Sequence, residues 1–568
     1  MWLTHLVALI ISISTSFAVP LPKNSNEWTN NVIYQVYPRS FKDSNGDGIG
    51  DIPGITSKLE HLIDAGADTL YLSPIYPSPM KDFGYDVTNH TSIASEYGTM
   101  DDFDNLVIKA KKLGLKIILD FIPNHTSDEH EWFLKSIDRI KPYDDYYVWV
   151  DAKRGPNGER LPPTNWLSHP HGSAWEWNEK RQQYFYHEFI RSQPDLNYRN
   201  PKVKEEMDKI LTFWMERGVD GFRVDAPNHL YEDEELRDEP KLDVDFPEDD
   251  RRTLEHIYCR DLNENYEVIR SWRYLLDKYA HEHETSQKYL ILETWGRESH
   301  VLGYYNVGAD PFNFRLLFDV TNTSTAEETK EIISAWLNAI PEGEVTNWIA
   351  GNHDNHRIAS RYGKNGERAD QMTMITMILP GIAMVYYGEE IGMRDRPMSW
   401  EETKDPYGCD AGKERYHLVY RDAERTPFQW DGNISAGFSD SSVTWLPVHE
   451  NHKTLNLASQ KEAEVSHFKV FQDLTSLKRS SEILKHGSTE ILASENVLAI
   501  VRRLVDLEPI TLLINFNDSD VEIDAKSWLN IPEKVQIYTA SVSSGLKKGE
   551  EFHTSKLRLP GAASVILR

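Results

Sequence analysis

Between residues 32 and 390 of the 568-residue chain, short apolar runs rich in β-branched and aromatic residues alternate with longer stretches whose apolar positions recur every three to four residues. The runs are VIYQVYPRSF (32–41), TLYLSPIYPS (69–78), KIILDFIPN (116–124), GVDGFRVDA (218–226), YLILETWG (289–296), FRLLFDV (314–320), VTNWIAGNHD (345–354) and GIAMVYYGEE (381–390). Their length and composition predict strands, while intervening segments such as DIPGITSKLEHLIDAGAD and DDFDNLVIKAKKLGLK predict helices. Strand followed by helix, eight times over, predicts an α/β fold in which parallel strands close into a (β/α)8 TIM barrel.

Two intervals exceed a plain crossover. Residues 126–200, rich in Trp, Tyr, Pro and His, predict a subdomain inserted after the third strand, and 391–450 form a long loop carrying RDAERTPFQWD. From 485 to 568 strand patterns such as NVLAIVRRL and ITLLINFN follow one another without helices, which predicts an antiparallel β-sandwich domain. The barrel then comprises 19–125 and 201–484, consistent with a chain too long for a single core.

In such barrels the C-terminal ends of the strands build the functional site. Those ends carry Asp120, Asn124, His125, Arg223, Asp225, Glu293, His353 and Asp354. One buried His is ordinarily a satisfied core residue, and one strand-end Asp ordinarily caps a helix. Several carboxylates at the mouths of one barrel are costly to gather, and point to chemistry. Alternation along a strand also places Arg223 and Asp225 on one face, either as a structural ion pair or as parts of a site.

Composition narrows the partners. With 62 basic and 90 acidic residues the formal charge is −28, which disfavours nucleic acid and anionic lipid surfaces. Sixteen Trp and 27 Tyr suit stacking on sugar rings, as they suit large cores. The opening MWLTHLVALIISISTSFA is an apolar run ending small-x-small, which predicts a signal peptide over 1–18 and a secreted, extracellular protein, with a short anchor as the alternative because the first residues lack Lys and Arg. Later stretches are too short in apolar residues to span a bilayer, so stable membrane insertion is not expected. Cys259 and Cys409 leave a disulfide open, and sequons stand at Asn89, Asn124, Asn322, Asn433 and Asn517.

The motifs DFIPNHTS (120–127), QPDLN (193–197), GFRVDA (221–226), ILETW (291–295) and GNHD (351–354), in this order and spacing, resemble those of the α-amylase superfamily of glycoside hydrolases, and within it the oligo-1,6-glucosidase and insect maltase type of α-glucosidase. The resemblance implies Asp225 as nucleophile, Glu293 as general acid/base and Asp354 as a third carboxylate holding the sugar. It implies substrate contacts from Tyr85, Asp86, His125, Arg223, His353 and an arginine of RDAERTPFQWD, with Arg421 favoured over Arg425. Arg223 would keep Asp225 ionised, since a nearby cation lowers an acid's pKa, whereas Glu293 would need a raised one. Small Ala226 after the nucleophile implies a preference for α-1,4 over α-1,6 bonds.

DSNGDGIGD (43–51) offers Asp43, Asn45, Asp47, the Ile49 carbonyl and Asp51 as hard oxygen donors suited to a structural Ca²⁺, or else forms a bare Asx-rich turn. The expected activity is retaining, exo-acting release of glucose from maltose, sucrose or short oligosaccharides. An endo-acting amylase and a non-catalytic amino-acid transporter heavy chain are the alternatives, the second commonly lacking part of the catalytic set.

Overall fold

Eight parallel strands surround a common axis in the computed structural model, which describes residues 27–568 apart from 170 and 364–367. The predicted signal peptide lies outside the described residues. The strands are β1 (Val32–Val36), β2 (Thr69–Leu72), β3 (Lys116–Phe121), β4 (Gly221–Val224), β5 (Tyr289–Leu292), β6 (Asp310–Pro311), β7 (Asn347–Ile349) and β8 (Ile382–Tyr386). Ladders run in the order β6-β5-β4-β3-β2-β1-β8-β7. Between β7 and β6 the barrel is closed by a side chain: Asn347 Nδ2 donates to the Pro311 carbonyl (2.9 Å), and its Oδ1 accepts from Asn313 N (3.0 Å).

The sixth strand departs from expectation. Residues Arg315–Phe318 of the run FRLLFDV form a helical turn, and the strand is the two-residue Asp310–Pro311 before it. A two-residue strand is too short to print any alternation, and the apolar side chains of the run bury from a helical turn instead (Leu316 and Leu317 are both buried).

Alternation sorts the barrel into two cores. Ile33, Ile118, Ile291, Ile349 and Met384 fill the interior, whereas their neighbours Val32, Tyr34, Ile117, Leu119, Leu290, Leu292 and Trp348 pack outward against the helices. On β4 the outward residues are Phe222 and Val224, so Arg223 points into the barrel, level with Asp120 of β3. Helices Met100–Lys112 and Ala326–Ala339 each begin with a complete capping box, Thr99 with Asp102 and Thr325 with Glu328.

Between β3 and β4 the chain forms a three-stranded antiparallel sheet, Trp149–Val150, Gln183–Tyr186 and Trp175–Asn178, over a small aromatic core of Trp166, Trp175 and Tyr186. At the C-terminal end a six-stranded antiparallel sheet faces a two-stranded one, Val521–Ile523 with Leu557–Leu559. Strand Val497–Arg503 is buried on both faces: Val497, Ala499 and Val501 belong to the sandwich core, Leu498 and Ile500 to the barrel core. No helix among the described residues is long and apolar enough to cross a membrane. Cys259 and Cys409 are both free thiols.

Candidate active site

At the C-terminal mouth of the barrel a cavity of about 310 Å³ is lined by Asp82, Tyr85, His125, Gln193, Asp225, Glu293, Trp295, His353, Asp354, Tyr407 and Arg421, among others. The site therefore gathers most of the residues that the strand ends nominate. Asp225 directly follows β4, with its amide donating to Phe121 O of β3 (2.8 Å), and Glu293 directly follows β5, with its amide donating to Val224 O (2.9 Å). Backbone ladders thus fix the origins of both carboxylates.

Arg223 organises one side of the cavity. Its Nη1 donates to Asp120 Oδ1 (2.7 Å) and Asp225 Oδ1 (2.6 Å), and Nη2 stands 3.3 Å from Glu293 Oε2. One guanidinium serves three buried carboxylates. The sequence-based expectation that Arg223 lowers the Asp225 pKa meets a stronger opposing effect: burial, together with the Asp120 charge, pushes Asp225 up to about 7 in spite of Arg223. Glu293 is also raised well above the ordinary glutamate range, first by burial and then by the Asp225 and Asp354 charges, against the pull of Arg223. Both carboxyls therefore hold their protons well above the ordinary carboxylate range.

The opposite side is built differently. Asp354 Oδ1 accepts from Arg421 Nη1 (3.1 Å) and Arg425 Nη2 (2.7 Å), and Oδ2 lies 3.1 Å from His353 Nε2. Burial alone would raise this carboxyl, but His353 and the two guanidiniums overcome it and hold Asp354 well below the usual range. Arg421 also donates to Asp405 (2.6 Å) and Asp82 (2.7 Å), and Asp82 accepts from Gln193 Nε2 (3.2 Å). Both candidate arginines reach Asp354, while Arg421 alone also lines the cavity.

Histidines and a tyrosine connect the two sides. Gln35 Nε2 contacts His353 Nδ1 (2.9 Å); as an amide donor it makes Nδ1 the acceptor and leaves the proton on Nε2, which faces Tyr85 Oη (2.7 Å). Tyr85 Oη in turn donates to Asp120 Oδ2 (2.9 Å), and the Tyr85 and His353 rings stack at 5.4 Å with 2° between planes. Burial lowers both His125 and His353 to about 3, so both are neutral donors or acceptors at physiological pH.

Two residues sit elsewhere than the sequence suggests. Asp86 does not line the cavity: it is fully buried and accepts from Ser78 Oγ (2.7 Å), Lys81 N (3.0 Å) and Asp82 N (3.0 Å), shaping the loop that presents Asp82. The aspartate in reach of Arg421 is Asp82. Nothing in KDFGYDV distinguishes two aspartates four residues apart on an irregular loop. Nor does the Ala226 methyl line the cavity; the residue is buried at φ 44°, ψ 45°, and its amide donates to Glu293 Oε2 (3.4 Å). Asp405 and Tyr407, whose ring lies 4.0 Å from the Arg421 guanidinium, come from the long loop after β8, where no periodicity marks them.

Loop 43–51 is rich in oxygen donors, and several are already engaged. Asp43 receives four donors, from Asn45 N, Gly46 N, Gly48 N and Ser439 Oγ. Asp51 caps the following helix through Gly54 N and accepts from Ser44. Asn45 and Asp47 each accept one backbone amide, and both are exposed. Asn45, Asp47, Asp51 and the Ile49 carbonyl therefore keep lone pairs that fit a hard cation, whereas Asp43 is saturated by its own loop.

Among the described residues, two His-containing groups elsewhere have ligand atoms within 4.8 Å of one another, Glu239 with His256 and Cys259, and His356 with Asp395 and Glu424. In the first, Glu239 is committed to the amides of Ile257, Tyr258 and Cys259. In the second, hydrogen bonds to Asp395 and Glu424 push His356 up to about 10, so an imidazolium already neutralises the carboxylates.

A parallel barrel with four carboxylates, Asp82, Asp225, Glu293 and Asp354, around a sugar-sized cavity at its C-terminal mouth fits a glycoside hydrolase. Residues 35–487 match the α-amylase catalytic domain family, and the chain belongs to it. The chain is 46% identical to Maltase 1 of Drosophila virilis over 96% of its own length and 88% of that protein's. It is 46% identical to the α-glucosidase of Apis mellifera, covering 95% and 94%. Among solved structures, the α-glucosyl transfer enzyme XgtA matches with a TM-score of 0.83 at 32% identity, over 95% of this chain and 99% of that one. Within the family the chain therefore stands with the maltases and α-glucosidases.

Proposed function

We propose that the protein is a secreted, retaining, exo-acting α-glucosidase that releases terminal glucose from maltose, sucrose or short α-glucosides. The observation that carries this is the single Arg223 guanidinium shared by Asp225 and Glu293, which sets one carboxylate ready to lose its proton and the other to keep it. Glu293 protonates the departing glycosidic oxygen while Asp225 attacks the anomeric carbon, forming a glucosyl ester. Glu293, now ionised, takes a proton from water, and that water releases glucose and restores Asp225. Asp354, ionised by its two arginines, holds sugar hydroxyls and strengthens its grip as positive charge develops on the ring.

Exo action is supported by Arg421, which ties Asp82, Asp354 and Asp405 together in the cavity wall, a charged cluster suited to gripping the hydroxyls of a terminal glucose. The complete carboxylate set speaks against a non-catalytic role. NMR of the first glucose released from maltose tests the reading: α-glucose is expected, and β-glucose or no glucose overturns it. Secretion rests on the leader pattern, and a secreted product beginning at Val19 is the expected outcome of N-terminal sequencing.

For loop 43–51 the reading is a structural Ca²⁺ held by Asn45, Asp47, the Ile49 carbonyl and Asp51, with no part in bond cleavage. A chelator should lower the melting temperature by several degrees and added Ca²⁺ restore it. Identical melting curves would remove the ion.

A further inference from the structure

His356 follows Asp354 by two residues on the loop after β7, yet it does not line the cavity, and its side chain is 52% exposed. Its Nδ1 faces the long loop after β8 instead, 3.0 Å from Asp395 Oδ2 and 3.5 Å from Glu424 Oε2. Nothing in the chemistry above uses these three groups.

Glu424 stands where it can govern the sugar-holding side of the cavity. It directly precedes Arg425 and follows Arg421 by three residues, and these two supply the guanidiniums on Asp354. The Glu424 side chain is 2% exposed, and among the described residues His356 is the one cation within 4 Å of it. Stripping a buried carboxylate of its single partner is costly. Asp395 ties the same two loops through its other oxygen, Oδ1 accepting from Arg357 N (2.8 Å), and the residue after it joins the arginine loop by Arg396 N donating to Ala423 O (3.1 Å). The Arg396 guanidinium does not stand in for His356, because it is committed to Glu402 and Glu450.

Hydrogen bonds to Asp395 and Glu424 push His356 up to about 10, while burial and the Asp395 charge raise Glu424 to about 7 against the pull of His356 and Arg425. Arg357, Tyr420 and His449 are the other ionisable groups near the two carboxylates. The imidazolium therefore stays charged across the range in which Glu424 loses its proton. Without it, Asp395 and Glu424 can face each other only while one of them is protonated, since two bare carboxylates repel and part the loops.

We propose that His356 is a positioning residue for the sugar-holding carboxylate: by bridging Asp395 and Glu424 it pins the loop that carries Arg421 and Arg425 against the loop that carries Asp354, and so keeps both guanidiniums on that carboxylate. It acts through the two arginines and touches no substrate. The proposal rests on the α-glucosidase reading.

The experiment measures kcat/KM on maltose from about pH 5 to about pH 8.5 for the wild type, His356→Gln, His356→Lys and the double variant His356→Gln/Glu424→Gln. The activity of His356→Gln relative to wild type should fall at least about tenfold from the acidic to the alkaline end, as Glu424 ionises beside Asp395. His356→Lys, which restores a cation, and the double variant, which removes the titrating carboxyl, should each stay within about threefold of wild type throughout. A His356→Gln ratio that does not change with pH, whatever its level, overturns the inference, because lost packing lowers activity equally at every pH. So does a Lys variant that declines as the Gln variant does. If His356→Gln does not fold, the double variant carries the test: folded with a flat ratio it supports the inference, and unfolded or declining it overturns it. All these outcomes leave the glucosidase reading intact, whereas a wild type that cleaves no maltose overturns that reading and this inference with it.

Discussion

The two sides of the catalytic cavity solve opposite electrostatic problems with the same residue types. On one, a single guanidinium faces Asp120, Asp225 and Glu293, and burial wins: Asp225 rises to about 7 and Glu293 is pushed up as well. On the other, Asp354 receives two guanidiniums, one of them shared with Asp82 and Asp405, and stays ionised. Positive charge is scarce where a proton must be moved and abundant where a sugar must be held. The ratio of cations to carboxylates, more than the carboxylates themselves, assigns the roles.

The strongest way to break this contrast is to neutralise the proton-moving side. Asp225→Asn and Glu293→Gln should each lower kcat by at least about a thousandfold, with losses that do not add in the double variant. Stability should move the other way. The folded Asp225 carboxyl holds its proton up to about pH 7, whereas an unfolded aspartate releases it near about 3.9, so raising the pH through that window destabilises the wild type. The Asn variant lacks this cost. Its melting temperature should exceed that of the wild type at pH 7, by a margin that vanishes below about pH 4.

Next in size is the holding side. Arg421→Ala leaves Asp405 and Asp82 without their closest cation and removes one of two from Asp354; breaking such a buried network costs about 3–5 kcal/mol. We expect kcat/KM on maltose to fall about a hundredfold or more. An Arg421→Ala enzyme within tenfold of wild type would mean that Arg425 alone suffices to hold the third carboxylate.

Asp120→Asn sharpens the comparison by changing the cation-to-carboxylate ratio around Arg223 without touching the reacting groups. Since the Asp120 charge raises Asp225, its removal should shift the acidic limb of the kcat/KM profile to lower pH. An unmoved limb would show that burial alone sets the Asp225 proton affinity.

The smallest effect concerns Ala226, whose left-handed backbone conformation disfavours β-branched side chains. Ala226→Val should lower the melting temperature by roughly 1–3 °C, the strain being of order 1–3 kcal/mol. Because the Ala226 methyl does not line the cavity, its size is not the direct gauge of linkage preference that the sequence alone suggests. Kinetics on maltose and isomaltose should change through Glu293, which the Ala226 amide touches, and so for both sugars together.

What was legible in the sequence depended on regular backbone. Asp225 and Glu293 follow strands whose alternation fixes where side chains point, and the barrel period carries that information across hundreds of residues. Asp82 and Asp405 lie on irregular loops, where direction depends on hydrogen bonds such as those Asp86 makes to Ser78 and Lys81, and no period encodes them. The sixth strand was misplaced for a related reason, since Asp310–Pro311 is too short to alternate. The Asp225 proton affinity was missed because a sequence displays Arg223 beside it but not the depth of burial around both.

The closure of the barrel has a mechanical consequence. Seven of its interfaces are zipped by main-chain ladders that no single substitution removes, whereas the β6–β7 seam is held by side chains, Asn347 between the strands and Arg361 between the residues that follow them. A cylinder loaded from within splits along its weakest line, so the first large fluctuation of this wall should run along that seam. Phe314 and Phe318, which follow β6, line the cavity beside the seam. The hinge of any such breathing is thus the aromatic wall itself, and the rigidity with which the enzyme receives its substrate is set by a hydrogen-bonding side chain buried beneath it.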